Sequence, residues 1–229
     1  MSNIETVEDL FKNTKHNPSY SQLHKSLKAN HAITDYCIPV NSYFPTPMMM
    51  EKLMNKIPEA LKYYPDSGEN MAKELSPFVG VPAENLVLSN GSTELITWID
   101  HLLIKENIAV TVPTFGRWTD QPFETGKKLN LYHHQERNLF HLDLDDYANF
   151  ILKTKSRVAV ICNPNNPTGN INSREEIIQF IEKLPQLDLI VIDESFLTDV
   201  TKSWKFENAG TFALKETNES TRFYALKLN

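Results

Sequence analysis

The sequence predicts an α/β protein built on a mainly parallel sheet with helices on both faces. Three observations predict it. Short apolar, β-branched runs recur at 86–88, 108–112, 129–133, 158–162 and 189–192. Helical patterns of about ten to fifteen residues separate most of them, the alternation expected of βαβ units. Each run then ends in turn-forming or polar residues, as strands do when their C-terminal ends open onto loops.

Taken in order, residues 1–30 mix helical pattern with Asn, His and Lys and read as an arm with little core of its own, and Ile33 to Val40 is a short apolar run. The arm, 1–45, is set apart from a large domain over 46–229. Pro45-Thr46-Pro47 opens a helix to about Tyr63, and its Met48-Met49-Met50 run is expected to fill irregular core space. Tyr64 to Gly68 is a turn by composition. The next helix ends near Gly80, with Pro82 placed where a helix cannot easily continue. Leu86 to Leu88 reads as the first strand. Leu95, Ile96, Ile99 and Leu102 share one face of the following helix.

Ile108 to Val112 is the second strand, followed by a helix to Gly126. Leu129 to His133 is the third strand, Asp145 to Lys155 a helix, and Val158 to Cys162 the fourth strand. A helix from Ser173 carries a capping box, with Glu176 three residues on. Leu189 to Ile192 is the fifth strand and runs into Asp193-Glu194-Ser195-Phe196.

Composition narrows the function classes. The net charge of −6 and the absence of a basic cluster argue against a nucleic-acid binder. The two cysteines form no spaced pair, which is the usage of reduced thiols in a cytoplasmic protein. No apolar run approaches a membrane span, and the acidic, amphipathic start is not a signal peptide. His133, His134 and His141 lack zinc-type spacing and read as solvated histidines, with no metal implied. Gly-x-Gly-x-x-Gly, phosphate-loop, His-Glu-x-x-His and Gly-x-Ser-x-Gly motifs are all missing.

The chemistry gathers at strand ends. Asn163-Pro164-Asn165-Asn166-Pro167-Thr168-Gly169-Asn170 follows a strand and precedes a capped helix. Its prolines remove donors and fix the backbone, while Gly169 allows a conformation that a side chain would penalise. A stiff loop presenting amides is the result, at the sheet edge where ligands bind in open α/β folds. Gly91-Ser92-Thr93 opens a helix and offers free N–H groups, hydroxyls and the positive end of a dipole, either a small phosphate site or an ordinary helix start. Phe115 could lie on a planar ring or belong to the core. Asn166 can donate to a ring oxygen. Asp193 leaves an apolar strand and needs a compensating partner, a cationic one by this reading. Phosphate, planar ring, phenolate-like oxygen and protonated ring nitrogen together describe pyridoxal phosphate.

Tyr64-Pro-Asp-x-Gly, Ser89-Asn-Gly-Ser-Thr-Glu, Pro113-Thr-Phe, Asn163-Pro-Asn-Asn-Pro-Thr-Gly and Val191-Ile-Asp-Glu-Ser-Phe resemble the aminotransferase class I/II family. Within it the motifs look closest to histidinol-phosphate aminotransferase and threonine-phosphate decarboxylase. The resemblance runs from about residue 35 to 200 and implies the large domain of the fold type I pyridoxal phosphate enzymes over 46–229, here incomplete, with part of the small domain in the arm over 1–45. It implies that the backbone at Gly91 and Ser92 and the Thr93 side chain hold the cofactor phosphate. Phe115 would stack on the pyridine ring, Asn166 would bond the ring oxygen, and Asp193 would pair with the ring nitrogen. That last pairing sustains the electron sink on which the chemistry depends.

Two departures qualify what the resemblance implies. Many relatives have Tyr where this chain has Phe196, although the decarboxylase-like branch often has Phe. The Schiff-base lysine is expected after the next strand, in a Ser-x-Ser-like context that is not present. Lys227 falls at about the right spacing after Asp193, in Tyr224-Ala225-Leu226-Lys227, and the sequence given ends at Asn229. The implied function is a pyridoxal phosphate-dependent aminotransferase acting on an amino acid, a phosphorylated one among the options, as a homodimer. A threonine-phosphate decarboxylase-like lyase, a truncated chain that at most binds the cofactor, and a non-catalytic partner of a full-length relative stay open beside it.

Overall fold

The computed structural model describes residues 20–26 and 43–196. Backbone contacts divide the chain into two units, with the break between Tyr64 and Pro65. The apolar run at 33–40 and everything from 197 onward, Lys227 included, lie outside the described residues.

The described part of the first unit holds α1 (Tyr20–Ser26) and α2 (Pro47–Lys62). Helix α2 starts where Thr46 caps it, the Thr46 hydroxyl accepting from the Met49 N–H at 3.4 Å, with Pro47 at the first position. None of its residues is buried, and Met48 is 63 % exposed. The methionine run therefore fills no core among the described residues, against the sequence expectation. An amphipathic pattern records which face of a helix is apolar, but not whether a neighbour covers it.

The second unit contains the sheet. Its strands are β1 (Asn107–Val112), β2 (Lys128–His133), β3 (Val158–Cys162) and β4 (Leu189–Asp193), all parallel, in the order β2-β1-β3-β4. Its helices are α3 (Gly68–Val79), α4 (Ser92–Leu102), α5 (Arg117–Glu124), α6 (Leu144–Thr154) and α7 (Arg174–Glu182). Every residue of β3 and β4 is buried, so these strands read as continuous apolar runs rather than alternating ones.

Strand period decides which side chain meets which helix layer. Ile108, Val110, Val158, Val160, Leu189 and Val191 pack on one face against Leu95, Ile96 and Ile99 of α4 and Trp118 of α5. Ala109, Ala159, Ile161, Ile190 and Ile192 pack on the other against Tyr147 and Ile151 of α6 and Ile177 and Phe180 of α7. The expected helices on both faces are present. On the second face Tyr147 and Phe180 stack with ring centroids 5.6 Å apart and planes 2° from parallel. The buried Tyr147 hydroxyl also bridges two strands, bonding the Ala109 carbonyl at 2.8 Å and the Val160 carbonyl at 3.1 Å.

Leu86 to Leu88 does not form the expected strand; only Leu86 makes an isolated bridge. The segment still alternates like one. Leu86 and Leu88 pack in a small cluster with Ala72 and Val79, and Val87 turns to the main core. Apolar alternation selects extended backbone, but a ladder needs a neighbouring strand, and this segment has none among the described residues.

Candidate active site

The four parallel strands bring their C-terminal ends to one edge, and the segments leaving β1, β3 and β4 there form the site with the start of α4. At the end of β4 stands Asp193, 4 % exposed. The strand register sets it beside Cys162 at the end of β3. Because β3 and β4 alternate in phase, both side chains point to the α4–α5 face, where Trp118 lies fully buried.

A carboxylate buried this deeply must be compensated. Among the described residues the donors that reach it are neutral. Trp118 Nε1–H donates to Asp193 Oδ2 at 2.8 Å. The Ser195 backbone N–H and hydroxyl donate to Oδ1 at 3.0 and 2.6 Å. The Cys162 thiol sits 3.9 Å from Oδ2 and itself accepts from the Thr114 hydroxyl at 3.1 Å. Burial first, and the neighbouring Asp193 charge second, push the Cys162 thiol well above its ordinary range, so it is an inert packing group rather than a nucleophile. None of the salt bridges among the described residues reaches Asp193.

The Asn/Pro loop is stiff for reasons visible in its hydrogen bonds. Asn163 exchanges two bonds with the backbone of Asn172, at 2.9 and 2.8 Å, like one rung of a ladder. Asn165 Nδ2 donates to the Pro113 carbonyl at 3.0 Å and to the Thr168 hydroxyl at 2.9 Å. Gly169, at φ 72°, closes the turn by donating to the Asn165 carbonyl at 2.7 Å. Asn170 Nδ2 reaches the Leu139 carbonyl at 2.8 Å. Asn165 thereby ties this loop to the one leaving β1, which carries Phe115. Asn166 is the loop's uncommitted amide: half-buried, it has no side-chain partner among the described residues.

A small cavity of about 60 Å³ opens between these loops. Ser92, Phe115, Asn166 and Asp193 line it together with Ser195 and Phe196. Four separate stretches of sequence thus converge on one cavity. Ser92 is the first residue of α4, whose cap position Gly91 has φ 81° and ψ 172° and provides no side-chain cap. The first amides of α4 are left to another acceptor, the arrangement that suits an anion. Gly91 and Thr93 flank Ser92 without lining the cavity, and Thr93 is exposed.

Trp118, Ser195, Cys162 and Thr114 were not foreseen at the site. Register is the signal that could have found Cys162, since Val160-x-Cys162 and Val191-x-Asp193 follow the same alternation. Trp118 stands three residues after Phe115 in a helical start, and its indole reaches Asp193 only through the packing of α5 on the sheet.

Elsewhere a larger cleft of about 460 Å³ lies by the starts of α6 and α7, away from these residues. Much of its polar lining is engaged in structure. Asp143 caps α6, Glu176 closes the capping box with Ser173, and Lys183 pairs with Asp145. His134 is buried, not solvated as expected, because its ring turns in against Tyr132; that burial pushes its imidazole below the usual range. His133 and His141 are exposed. Among the described residues no group of three or more His, Cys, Asp or Glu could hold a metal ion. Among them, too, no helix is long and apolar enough to cross a membrane.

The family model for aminotransferase class I and II matches residues 28–220. The chain belongs to this family. It is 27% identical over 190 residues to the L-serine phosphate decarboxylase of Campylobacter jejuni, covering 80% of this chain and 48% of that protein. It is 34% identical over 153 residues to the histidinol-phosphate aminotransferase of Clostridium kluyveri, covering 65% of this chain and 42% of that protein. A solved decarboxylase from Sulfurospirillum multivorans superposes with a TM-score of 0.68 at 25% identity, over 83% of this chain and 50% of that one. The chain thus spans about half the length of the curated relatives it matches.

Proposed function

We propose that this chain binds pyridoxal 5'-phosphate and belongs to an aminotransferase acting on an amino acid, a phosphorylated one being the preferred class. One observation supports the reading most: Phe115, Asn166 and Asp193, from three strand ends, and Ser92, from the start of α4, line a single cavity. Their chemistry is complementary to the cofactor group by group. The start of α4 lacks a side-chain cap and suits the phosphate. Asn166 has an amide, uncommitted among the described residues, for the ring oxygen. Asp193 is a buried carboxylate whose donors among the described residues are neutral, which suits a protonated ring nitrogen.

When bound, the cofactor supplies an electron sink for bonds broken at the substrate Cα. The chain's own residues bind and orient. Gly91 and Ser92, with Thr93 beside them, hold the anionic end, Phe115 covers the ring, and Asn166 fixes its rotation. Asp193 keeps a proton on the ring nitrogen, favouring the charged form by direct pairing. Lys227, assigned by its spacing from Asp193 alone, would hold the cofactor's reactive end and move the proton at Cα. A second protomer is assigned the rest of the site, in a cytoplasmic homodimer.

A second reading, a lyase that decarboxylates a phosphorylated amino acid, is favoured by Phe196. It lines the cavity with no hydroxyl to offer the ring oxygen, and the serine phosphate decarboxylase matches most of this chain.

The test is cofactor titration of the purified chain, then borohydride reduction and peptide mapping. Saturable binding is the expected result, an adduct on Lys227 would support its assignment by spacing, and amine transfer to a keto acid against carbon dioxide release separates the two reactions. Absence of saturable binding would overturn the reading. Binding without a reducible adduct would remove Lys227 from it.

A further inference from the structure

We propose that Trp118 is a positioning residue for Asp193: its indole N–H holds the carboxylate in the orientation that pairs with the ring nitrogen of the cofactor. The inference rests on the reading of the cavity as a pyridoxal phosphate site.

The two oxygens of Asp193 are engaged unequally. A carboxylate has about four lone-pair sites, two on each oxygen. Oδ1 receives both Ser195 donors, the backbone N–H at 3.0 Å and the hydroxyl at 2.6 Å. Oδ2 receives Trp118 Nε1–H at 2.8 Å, and otherwise only a thiol 3.9 Å away. Oδ2 therefore keeps capacity for one strong donor, and Asp193 lines the cavity. Trp118 fixes the oxygen that has this capacity.

The indole suits the task. It only donates, has no protonation change in the working range, and so favours the charged carboxylate at every pH of interest. Trp118 is fully buried and cannot swing away. Its backbone N–H also donates to the Phe115 carbonyl at 3.0 Å. One residue therefore links the aromatic wall assigned to the ring face with the carboxylate assigned to the ring nitrogen. A ring held between these two groups gains from having their separation preset, because less order remains to be imposed on binding.

The experiment compares two ligands on the full chain by equilibrium dialysis: pyridoxal phosphate, and its 1-deaza analogue, in which a C–H replaces the ring nitrogen. Wild-type chain should prefer pyridoxal phosphate. Trp118→Phe should lose roughly tenfold in affinity for pyridoxal phosphate, the scale of one hydrogen bond to a charged group, with less than about a twofold change for the deaza analogue. Equal losses for both ligands would show a merely structural role and overturn the proposal, as would an intact preference in the variant. Should Trp118→Phe fail to fold, replacing Trp118 by 3-benzothienylalanine keeps the shape of the indole and removes only its N–H. The preference for pyridoxal phosphate should then fall, and an undiminished preference overturns the proposal. Wild-type chain that binds neither ligand overturns the cofactor reading itself. Wild-type chain that binds both equally leaves a cofactor site but removes Asp193, and Trp118 with it, from the ring nitrogen.

Discussion

Cys162 and Asp193 are register partners at the ends of neighbouring parallel strands, and their side chains approach within 3.9 Å on the same face of the sheet. The pair places a buried acid beside a buried thiol, and each affects the other. The carboxylate helps to hold the thiol protonated, and the thiol is the weakest of the donors around the carboxylate.

That relation sets a pH dependence. The Cys162 thiol is raised from its ordinary value of 9.0 in the folded chain. A raised folded value means that the unfolded chain ionises first as pH climbs. Stability is fully present below about pH 9 and falls above it, since the unfolded state then binds fewer protons. Tyr147, raised from 10.0 by burial, adds a fall of the same sign starting a unit higher. Urea midpoints between pH 7 and 10.5 should decline. Cys162→Ala should flatten the part of the decline that begins near pH 9, and an unchanged slope in that variant would remove Cys162 as its source.

Asp193→Asn keeps the shape of the side chain and removes its charge. Cofactor affinity should drop roughly ten- to a hundredfold, the scale of a charge-assisted hydrogen bond. The variant should remain folded, with an unchanged far-ultraviolet circular dichroism spectrum. Undiminished affinity would separate Asp193 from the cofactor.

Gly91 has φ 81° and ψ 172°, a region that side chains scarcely visit, while a Cβ built there meets nothing within 4 Å. Gly91→Ala should therefore cost about 1–3 kcal/mol through backbone strain alone. It should also weaken binding of an anion at the start of α4. Chemical denaturation measures the first effect and phosphate protection of that stability the second.

Tyr147→Phe removes the hydroxyl that bridges the Ala109 and Val160 carbonyls of β1 and β3. A loss of about 1–2 kcal/mol is expected from the missing bond. The stack on Phe180 should survive, and the far-ultraviolet circular dichroism spectrum should be unchanged. A loss below about 0.5 kcal/mol would show that these carbonyls are adequately satisfied by the strand ladder.

The sequence by itself determined the sheet strands and the helices between them, and it named four residues that line one cavity. Val158 to Cys162 and Leu189 to Ile192 could be read because buried parallel strands need unbroken apolar runs. Ser173 with Glu176 could be read because a capping box is a local bargain between neighbours in the chain. Ser92, Phe115, Asn166 and Asp193 could be named because each belongs to a motif a few residues long. Tertiary structure alone decided what compensates Asp193. Trp118 reaches it across a helix–sheet contact and Cys162 through strand register, and no local pattern encodes a distance between separate elements. The same reason explains Leu86 to Leu88, which has strand-like alternation without a partner, and Met48 to Met50, apolar on a helix with no buried residue. Periodicity fixes the faces of an element; only the packed chain decides what lies against them.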